Sequence, residues 1–228
     1  MAAPAVAGVM IVRATGPSAH SFAPGRVLPD DAHITLRQND ELVVLDPHGT
    51  RTLRGPGSFI AGQDTGKAMS TLAALSDQRT ARRARIGAVR AVRPQTGPSL
   101  QPNIWFVDAG RAGTVCVADP QAATLWRDDA TGVGSTTITA STGKSAKVDW
   151  IKGEASQPWP ATLPIADNAG YRITGAGAAP GGTAVNIRVV KDKPADLQQL
   201  AGALIADDCQ GQLNVLIETA SNDKTGPE

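Results

Sequence analysis

Residues 34–59, ITLRQNDELVVLDPHGTRTLRGPGSF, decide the fold class of the N-terminal part of this chain. Short runs of alternating or β-branched residues are separated by Asp-Pro-His-Gly at residues 46–49 and end at Gly-Pro-Gly at residues 55–57. Alternation with a period of two is typical of strands that bury one face. Pro fixes φ and Gly tolerates a positive φ, so the interruptions favour turns. With a further strand expected at residues 9–13, the stretch predicts a small β-sandwich or β-roll.

Composition limits the class of protein. The chain has 228 residues, a formal net charge of +1 and 19% charged residues. This length buries a sizeable apolar core in one or two domains. A net charge so close to zero gives no argument for nucleic acid or for an anionic membrane surface. No apolar run approaches the roughly 20 residues that span a bilayer, so the sequence predicts no membrane span.

Residues 24–59, PGRVLPDDAHITLRQNDELVVLDPHGTRTLRGPGSF, resemble the FecR-type extracytoplasmic β-domain of bacterial envelope proteins. That family begins with G-x-x-L, continues into a strand and closes with a dG-t-x-x-l-x-G-p hairpin. The resemblance implies a binding or signal-relay module outside the cytoplasm, without catalytic residues. It predicts a FecR-like β-domain at residues 1–63. The matching residues are Gly25, Leu28, Leu36, Leu42, Val44, Gly49, Thr50, Leu53, Gly55 and Pro56.

A basic helix is predicted to follow at residues 64–93, because apolar residues there recur with a helical period. Its distal part could bind phosphate or an anionic envelope polymer. The alternative is a solvated helix end, where arginines favour the negative pole of the helix dipole. The Pro-rich residues 94–102 predict a linker. The arginines of the helix, of which the first four are candidate partner contacts, are Arg79, Arg82, Arg83, Arg85, Arg90 and Arg93.

An Ig-like β-sandwich is predicted at residues 103–191. The segments favouring strands are rich in Thr, Val, Ile and Trp, and turn signals separate them. All four Trp residues lie in this region, and we interpret them as core and edge packing rather than as a ligand cage. Trp159, between Pro158 and Pro160, is expected to be exposed and is a further candidate partner contact. The predicted strands are residues 103–107, 113–118, 123–127, 135–140, 146–150, 171–174 and 183–190.

A helical segment is predicted at residues 192–220, followed by a flexible tail at residues 221–228. Leu197, Leu200, Leu204 and Ile205 share one helical face. Residues 213–217 favour a second short helix, with a strand as the alternative. The overall prediction is a mainly β protein with a short C-terminal helical segment.

Cys116 and Cys209 are the two cysteines of the chain. Their spacing excludes CxxC redox and zinc motifs. Two alternatives remain open at this point: a disulfide that closes a long loop, which stabilises the fold by about 4 kcal/mol in the chain-entropy model, or two small buried side chains.

Some segments resemble motifs for catalysis or cofactor binding, but each lacks a residue or a spacing that the motif requires. Residues 62–68, GQDTGKA, are one residue short of a phosphate-binding loop and lack its Ser or Thr. Residues 175–180, GAGAAP, have Pro where a dinucleotide fingerprint needs its third Gly. His20, His33 and His48 form no HExxH-like ligand pair. The sequence therefore predicts no catalytic, cofactor-binding or metal-binding residues and no enzymatic activity.

We expect a non-catalytic exported protein, periplasmic or otherwise outside the cytoplasm. Residues 1–7, MAAPAVA, end in an Ala-x-Ala pattern without a basic region or a long apolar run, which fits a mature protein whose signal peptide is not in this sequence. The hypothesis is a binding or scaffold role toward another envelope protein or polymer. The alternative is a cytosolic nucleic-acid-binding protein that uses the Arg79–Arg93 helix, although no aromatic residues interleave there for base stacking.

Overall fold

The computed structural model describes residues 8–63, 72, 75 and 101–221. These residues are mainly β-strand with two C-terminal helices, which confirms the predicted fold class. They divide into two compact units, and each takes part of the C-terminal segment. The first unit is Met1–Leu72, Pro194–Ala206 and Leu216–Glu228; the second is Ala73–Lys193 and Asp207–Val215. The domain boundaries expected from sequence are linear along the chain and stay a prediction, as does the FecR-like assignment.

Among the described residues, six strands build the first unit. Strands β2, β1, β4 and β5 form an antiparallel sheet in that order, and β3 pairs with β6. Four of the six strands were expected from sequence, β3 from its alternation and β4 from a continuous apolar run. The two others were not expected: β2 has only three residues, and β6 begins at Gly57, which the sequence assigns to a turn. The bounds are β1 Gly8–Thr15, β2 Val27–Pro29, β3 His33–Leu36, β4 Glu41–Asp46, β5 Gly49–Arg54 and β6 Gly57–Ile60.

Strand β4 is apolar on both faces because the sheet is covered on both sides. Leu42 and Val44 belong to a buried cluster that includes residues of β3. Val43 and Leu45 point the other way and are also buried. Helix α1, Leu197–Ala206, contacts β1 and β4. A strand buried on both faces loses the alternation of a half-exposed strand, which explains its continuous apolar run.

The turn between β4 and β5 forms as expected, and a buried ion pair supports it. The Asp46 Oδ1 atom accepts a hydrogen bond from the His48 N–H at 2.7 Å, and Gly49 has a φ of 138°. Arg51 Nε lies 3.6 Å from Asp46 Oδ2. The Arg51 guanidinium also donates to the backbone oxygens of Ala61 and Gln63, so it joins the turn to the chain that follows β6.

The described part of the second unit has eight strands, which form two sheets. The larger sheet has the order β11-β10-β13-β14-β8, and the smaller has the order β12-β9-β7. Buried residues of both sheets form one apolar cluster, so the sheets pack face to face. Residues 103–105 are not strand as expected, because Asn103 Oδ1 accepts the Trp105 N–H in a turn. The bounds are β7 Phe106–Asp108, β8 Gly113–Val117, β9 Thr124–Trp126, β10 Gly134–Ala140, β11 Ser145–Trp150, β12 Ser156–Pro158, β13 Ala169–Gly175 and β14 Thr183–Val189.

The sandwich has a tyrosine corner, which supports the Ig-like prediction. The Tyr171 hydroxyl of β13 donates to the Pro164 oxygen at 3.2 Å and accepts from the Ala166 N–H at 3.2 Å. A tyrosine bonded to the backbone a few residues upstream is a hallmark of Ig sandwiches. The unit departs from that pattern in two parallel pairs, β7 with β9 and β8 with β14.

Two tryptophans pack in the core as expected, since Trp126 and Trp150 are buried, while Trp105 is half-buried. The Trp150 indole N–H donates to Thr136 Oγ1 at 2.7 Å, which satisfies its polar atom inside the core.

The C-terminal segment consists of α1 and of α2, Gln210–Thr219, so the strand alternative for residues 213–217 is wrong. The two helices are separated at Asp208, which has a φ of 55°. Cys116 of β8 and Cys209 form a disulfide, so the alternative of two free thiols is also wrong. No helix among the described residues is long and apolar enough to cross a membrane.

Strand β8 is the edge of the larger sheet, and the side chain of Gln212 caps it. The Gln212 Oε1 atom accepts the Cys116 N–H at 2.7 Å, and its Nε2 donates to the Cys116 oxygen at 2.6 Å. The same Nε2 donates to the Ile104 oxygen at 2.7 Å. A side-chain amide therefore occupies the place that a neighbouring strand would take.

Candidate binding surface

Trp159 is not a surface residue, which corrects the expectation from its proline neighbours. Its side chain is only 7% exposed. The indole N–H donates to the Leu163 oxygen at 2.7 Å, and the ring meets Tyr171 edge-on with 5.2 Å between centroids. Pro158 ends the edge strand β12, and the Trp159 N–H is bonded to the Ala123 oxygen. The backbone of Trp159 is thus bonded next to the smaller sheet, and its ring is buried in the core.

The other predicted contacts, Arg79, Arg82, Arg83 and Arg85, lie outside the described residues, as do Arg90 and Arg93. Their role stays a prediction.

Three loops meet at one end of the sandwich. They are residues 127–133 between β9 and β10, residues 151–155 between β11 and β12, and residues 176–182 between β13 and β14. The strand registers place them at the same end, because Gly134 pairs with Trp150 and Thr136 pairs with Gly175. We call this cluster the loop end.

Arg127 holds the first two loops together from inside. It is 3% exposed, and its guanidinium carbon lies 4.7 Å from the centroid of the Trp150 ring. Its Nε donates to the Glu154 oxygen at 3.0 Å, and its Nη2 donates to the oxygens of Gly132 at 2.8 Å and Ile151 at 3.3 Å. One side chain thus fixes both loops through their backbones.

The third loop packs on the same arginine. Gly177 has a φ of 83°, and a Cβ at this position would lie 2.6 Å from Arg127 Cβ. The Ala176 N–H donates to the Ser135 oxygen at 2.9 Å. Close approach and left-handed backbone both require glycine here. The loop end is therefore a packed surface that is fixed by tertiary contacts.

Two large apolar side chains project from the loop end. Val133 is 79% exposed and Ile151 is 62% exposed. Each lies one residue beyond the last register pair of β10 and β11, Gly134 with Trp150, at the same end of the ladder. Exposed apolar side chains that cluster on a polar background are typical of interaction sites.

Charged residues lie on the same two loops as Val133 and Ile151. Asp128, Asp129 and Lys152 are exposed, and Glu154 is half-buried. Asp129 Oδ1 accepts both the Thr131 hydroxyl at 2.6 Å and the Thr131 N–H at 2.8 Å. The hydrogen bonds of Thr131 are the main cause that lowers the pKa of Asp129, and Arg127 adds to it. The carboxylate consequently stays ionised at pH values below those at which an aspartate usually takes up a proton.

A small cleft lies beside the start of β8. It has a volume of about 130 Å³ and is lined by residues that include Asp108, Arg111 and Gln210. Asp108 Oδ2 lies 3.6 Å from Arg111 Nε. Burial raises the pKa of Asp108, against the opposing influence of the Gly110 N–H and Arg111. The charges of Asp108 and Arg111 compensate each other, and no histidine is among the described residues that line the cleft.

A shallow groove crosses the outer face of the larger sheet. Its volume is about 600 Å³, and Thr114, Thr139, Arg172, Ala184 and Asn186 are among its lining residues. Arg172 is committed to the Gly181 oxygen. Within the described ranges, no three His, Cys, Asp or Glu side chains lie close enough to hold a metal ion. The groove thus offers polar side chains for contacts.

Val133 and Ile151 were not predicted as contact residues, although the alternation of buried and exposed positions indicates that they face outward. In β10 and β11 the buried residues have even numbers, such as Ile138, Val148 and Trp150. Alternation then puts odd-numbered residues outside, and two of these are apolar. The clustering of the three loops had no such local signal.

Comparisons with protein-family models, with curated proteins and with solved structures found no match for this chain.

Proposed function

We propose that this chain is a non-catalytic exported protein that binds or scaffolds another envelope protein or polymer, and that the loop end makes the contact. The observation that carries the proposal is the exposure of Val133 and Ile151 on loops that Arg127 fixes from inside. A prearranged apolar contact loses little conformational entropy on binding.

The disulfide supports export. Disulfides persist in oxidising compartments such as the bacterial periplasm and are rare in the cytosol. The bond between Cys116 and Cys209 therefore favours a periplasmic or other extracytoplasmic location. The FecR-like resemblance of the N-terminal strands points the same way, toward the envelope.

The test compares cross-linked capture from native cell envelopes by three forms of the full chain. Wild type should capture a partner, and the double substitution Val133→Asp/Ile151→Asp should lose it, because charge replaces the apolar contact. The matched control is Val27→Asp, since Val27 is an apolar side chain of the first unit that is 50% exposed. This control should capture as wild type does.

Two results would contradict the proposal. One is fractionation of the native protein with the cytosol. The other is capture that the double substitution leaves unchanged while the variant keeps its unfolding transition.

A further inference from the structure

The two edge strands of the larger sheet differ in what bonds to their outward backbone groups. The edge at β8 is closed by the Gln212 amide and by the disulfide to Cys209. The edge at β11 has β10 on one side, and no other described strand or helix pairs with it. An uncapped edge presents backbone N–H and C=O groups that can pair with another strand.

The hydrogen-bonding direction of β11 follows from its ladder. The Ala140 N–H donates to the Lys144 oxygen at 2.8 Å, and this register continues through Ile138 with Ala146 and Thr136 with Val148. Bonded and non-bonded pairs alternate in an antiparallel ladder. The even-numbered residues of β11 therefore bond to β10, and the backbone groups of residues 145, 147 and 149 point outward.

The charges on this edge suit a second copy of β11. Lys147 and Asp149 are 61% and 73% exposed, and their side chains meet at 2.8 Å on the outer face. If two β11 strands pair antiparallel about a two-fold axis at Val148, residue 147 of each copy lies opposite residue 149 of the other. Both outward-bonding pairs then join opposite charges. An axis at residue 147 or residue 149 would instead place like charges opposite each other, which is destabilising.

Side-chain size also matches in this register. Ala146 of one copy lies opposite Trp150 of the other, so a small residue accompanies a large one. A lone lysine on an edge opposes strand pairing. Here Asp149 supplies the opposite charge two residues along the same face. The strand is thus complementary to itself in one register.

We propose that this protein self-associates as a two-fold dimer through antiparallel pairing of β11 with β11 of a second copy, centred on Val148. The contact is isologous, so it closes on itself and leaves no free β11 edge. The two loop ends of the pair face opposite directions, which makes the dimer bivalent for whatever the loop end binds. The pairing stands on the edge alone and does not depend on the proposed binding role.

The test is analytical ultracentrifugation of the full chain over a concentration series. Wild type should form a dimer as the concentration rises toward about 1 mM. Lys147→Asp and Asp149→Lys should each weaken it by about tenfold, because two like-charged pairs replace two opposite ones. An equimolar mixture of the two variants should associate again, since the acidic edge of one then faces the basic edge of the other.

Lys193→Asp is the matched control, because it makes the same charge change at an exposed residue away from β11. It should dimerise as wild type does. Amide exchange at Lys147 and Asp149 should slow with concentration. A protein that stays monomeric up to about 1 mM would overturn the proposal. So would a dimer that both charge reversals leave unchanged.

Discussion

Arg51 in the first unit and Arg127 in the second are both buried, but their charges are compensated in different ways. Arg51 faces the carboxylate of Asp46 at 3.6 Å and also donates to two backbone oxygens. Arg127 has no carboxylate in ion-pair contact among the described residues, and it rests on the Trp150 ring and on backbone oxygens. Both arginines join separate segments through backbone oxygens, but only Arg51 also balances a buried carboxylate.

The largest expected effect comes from breaking the charge pair of the first unit. Arg51→Met should lower the free energy of unfolding by about 4 kcal/mol, because it leaves the buried Asp46 carboxylate without its partner. Urea unfolding measures this loss.

The double substitution Asp46→Asn/Arg51→Met is the control. It removes both charges together and should recover part of the lost stability. Equal losses in the single and double variants would show that the ion pair is not the reason.

Arg127→Met should cost less, about 3 kcal/mol, because it leaves carbonyl groups rather than a charge without a partner. The cation–π contact with Trp150 is lost as well. Urea unfolding measures the loss, and amide exchange at Gly153 should become faster as the first two loops separate.

Arg127→Lys retains the charge but not the planar fork of donors, so its stability should lie between those of wild type and Arg127→Met. A lysine variant as stable as wild type would mean that the charge alone holds the loops.

Gly177→Ala tests how closely the third loop packs on Arg127. The new Cβ would lie 2.6 Å from Arg127 Cβ on a backbone with a φ of 83°. Gly143→Ala is the matched control, because Gly143 has a φ of 86° but a Cβ there would meet nothing within 4 Å. Thermal or urea unfolding should show a loss of about 1 kcal/mol for Gly143→Ala. Gly177→Ala should lose about 2 kcal/mol more through overpacking. Equal losses would place the third loop away from Arg127.

The smallest expected effect is the influence of the Arg127 charge on the pKa of Asp129. The hydrogen bonds from Thr131 lower the pKa of Asp129 more than Arg127 does. An NMR titration should therefore show a larger rise of the Asp129 pKa in Thr131→Ala than in Arg127→Met. The reverse order would indicate that the charge of Arg127 dominates at the loop end.

The sign of the linked stability follows from the lowered pKa. An ionised Asp129 stabilises the folded state above the aspartate pKa of the unfolded chain, and this contribution is lost as the pH falls through the lower folded value. The stability contributed by Asp108 changes with pH in the opposite direction, because burial raises the pKa of this carboxyl. Its contribution to stability decreases as the pH rises above the unfolded value.

Much of the fold follows from local patterns. Alternation and runs of β-branched or apolar residues located most of the strands, and the Pro and Gly residues of residues 46–49 located a turn that Asp46 closes by accepting the His48 N–H. Strand β12 was not predicted, because it has only three residues and includes Pro158. Proline is tolerated there since β12 is an edge strand. Trp159 was misjudged because flanking prolines indicate a turn but not the direction in which the side chain points.

The binding surface was harder to predict than the strands that carry it. The outward direction of Val133 and Ile151 is a consequence of period-two alternation, so sequence patterns contained it. Their location at the same end of the sheet depends on the register of β10 with β11, and the positions of their loops depend on Arg127, whose side chain bonds to residues up to 27 positions away.

The sequence was sufficient for the mainly β class, for most strand positions and for the C-terminal helices, because alternation, turn chemistry and helical period act over a few residues. It left open whether Cys116 and Cys209 pair, since a separation of 93 residues carries no local signal. Only the tertiary structure decided that pairing, the burial of Trp159 and the cap that Gln212 places on β8. These depend on which distant segments come into contact, and such contacts arise from the packing of the whole unit.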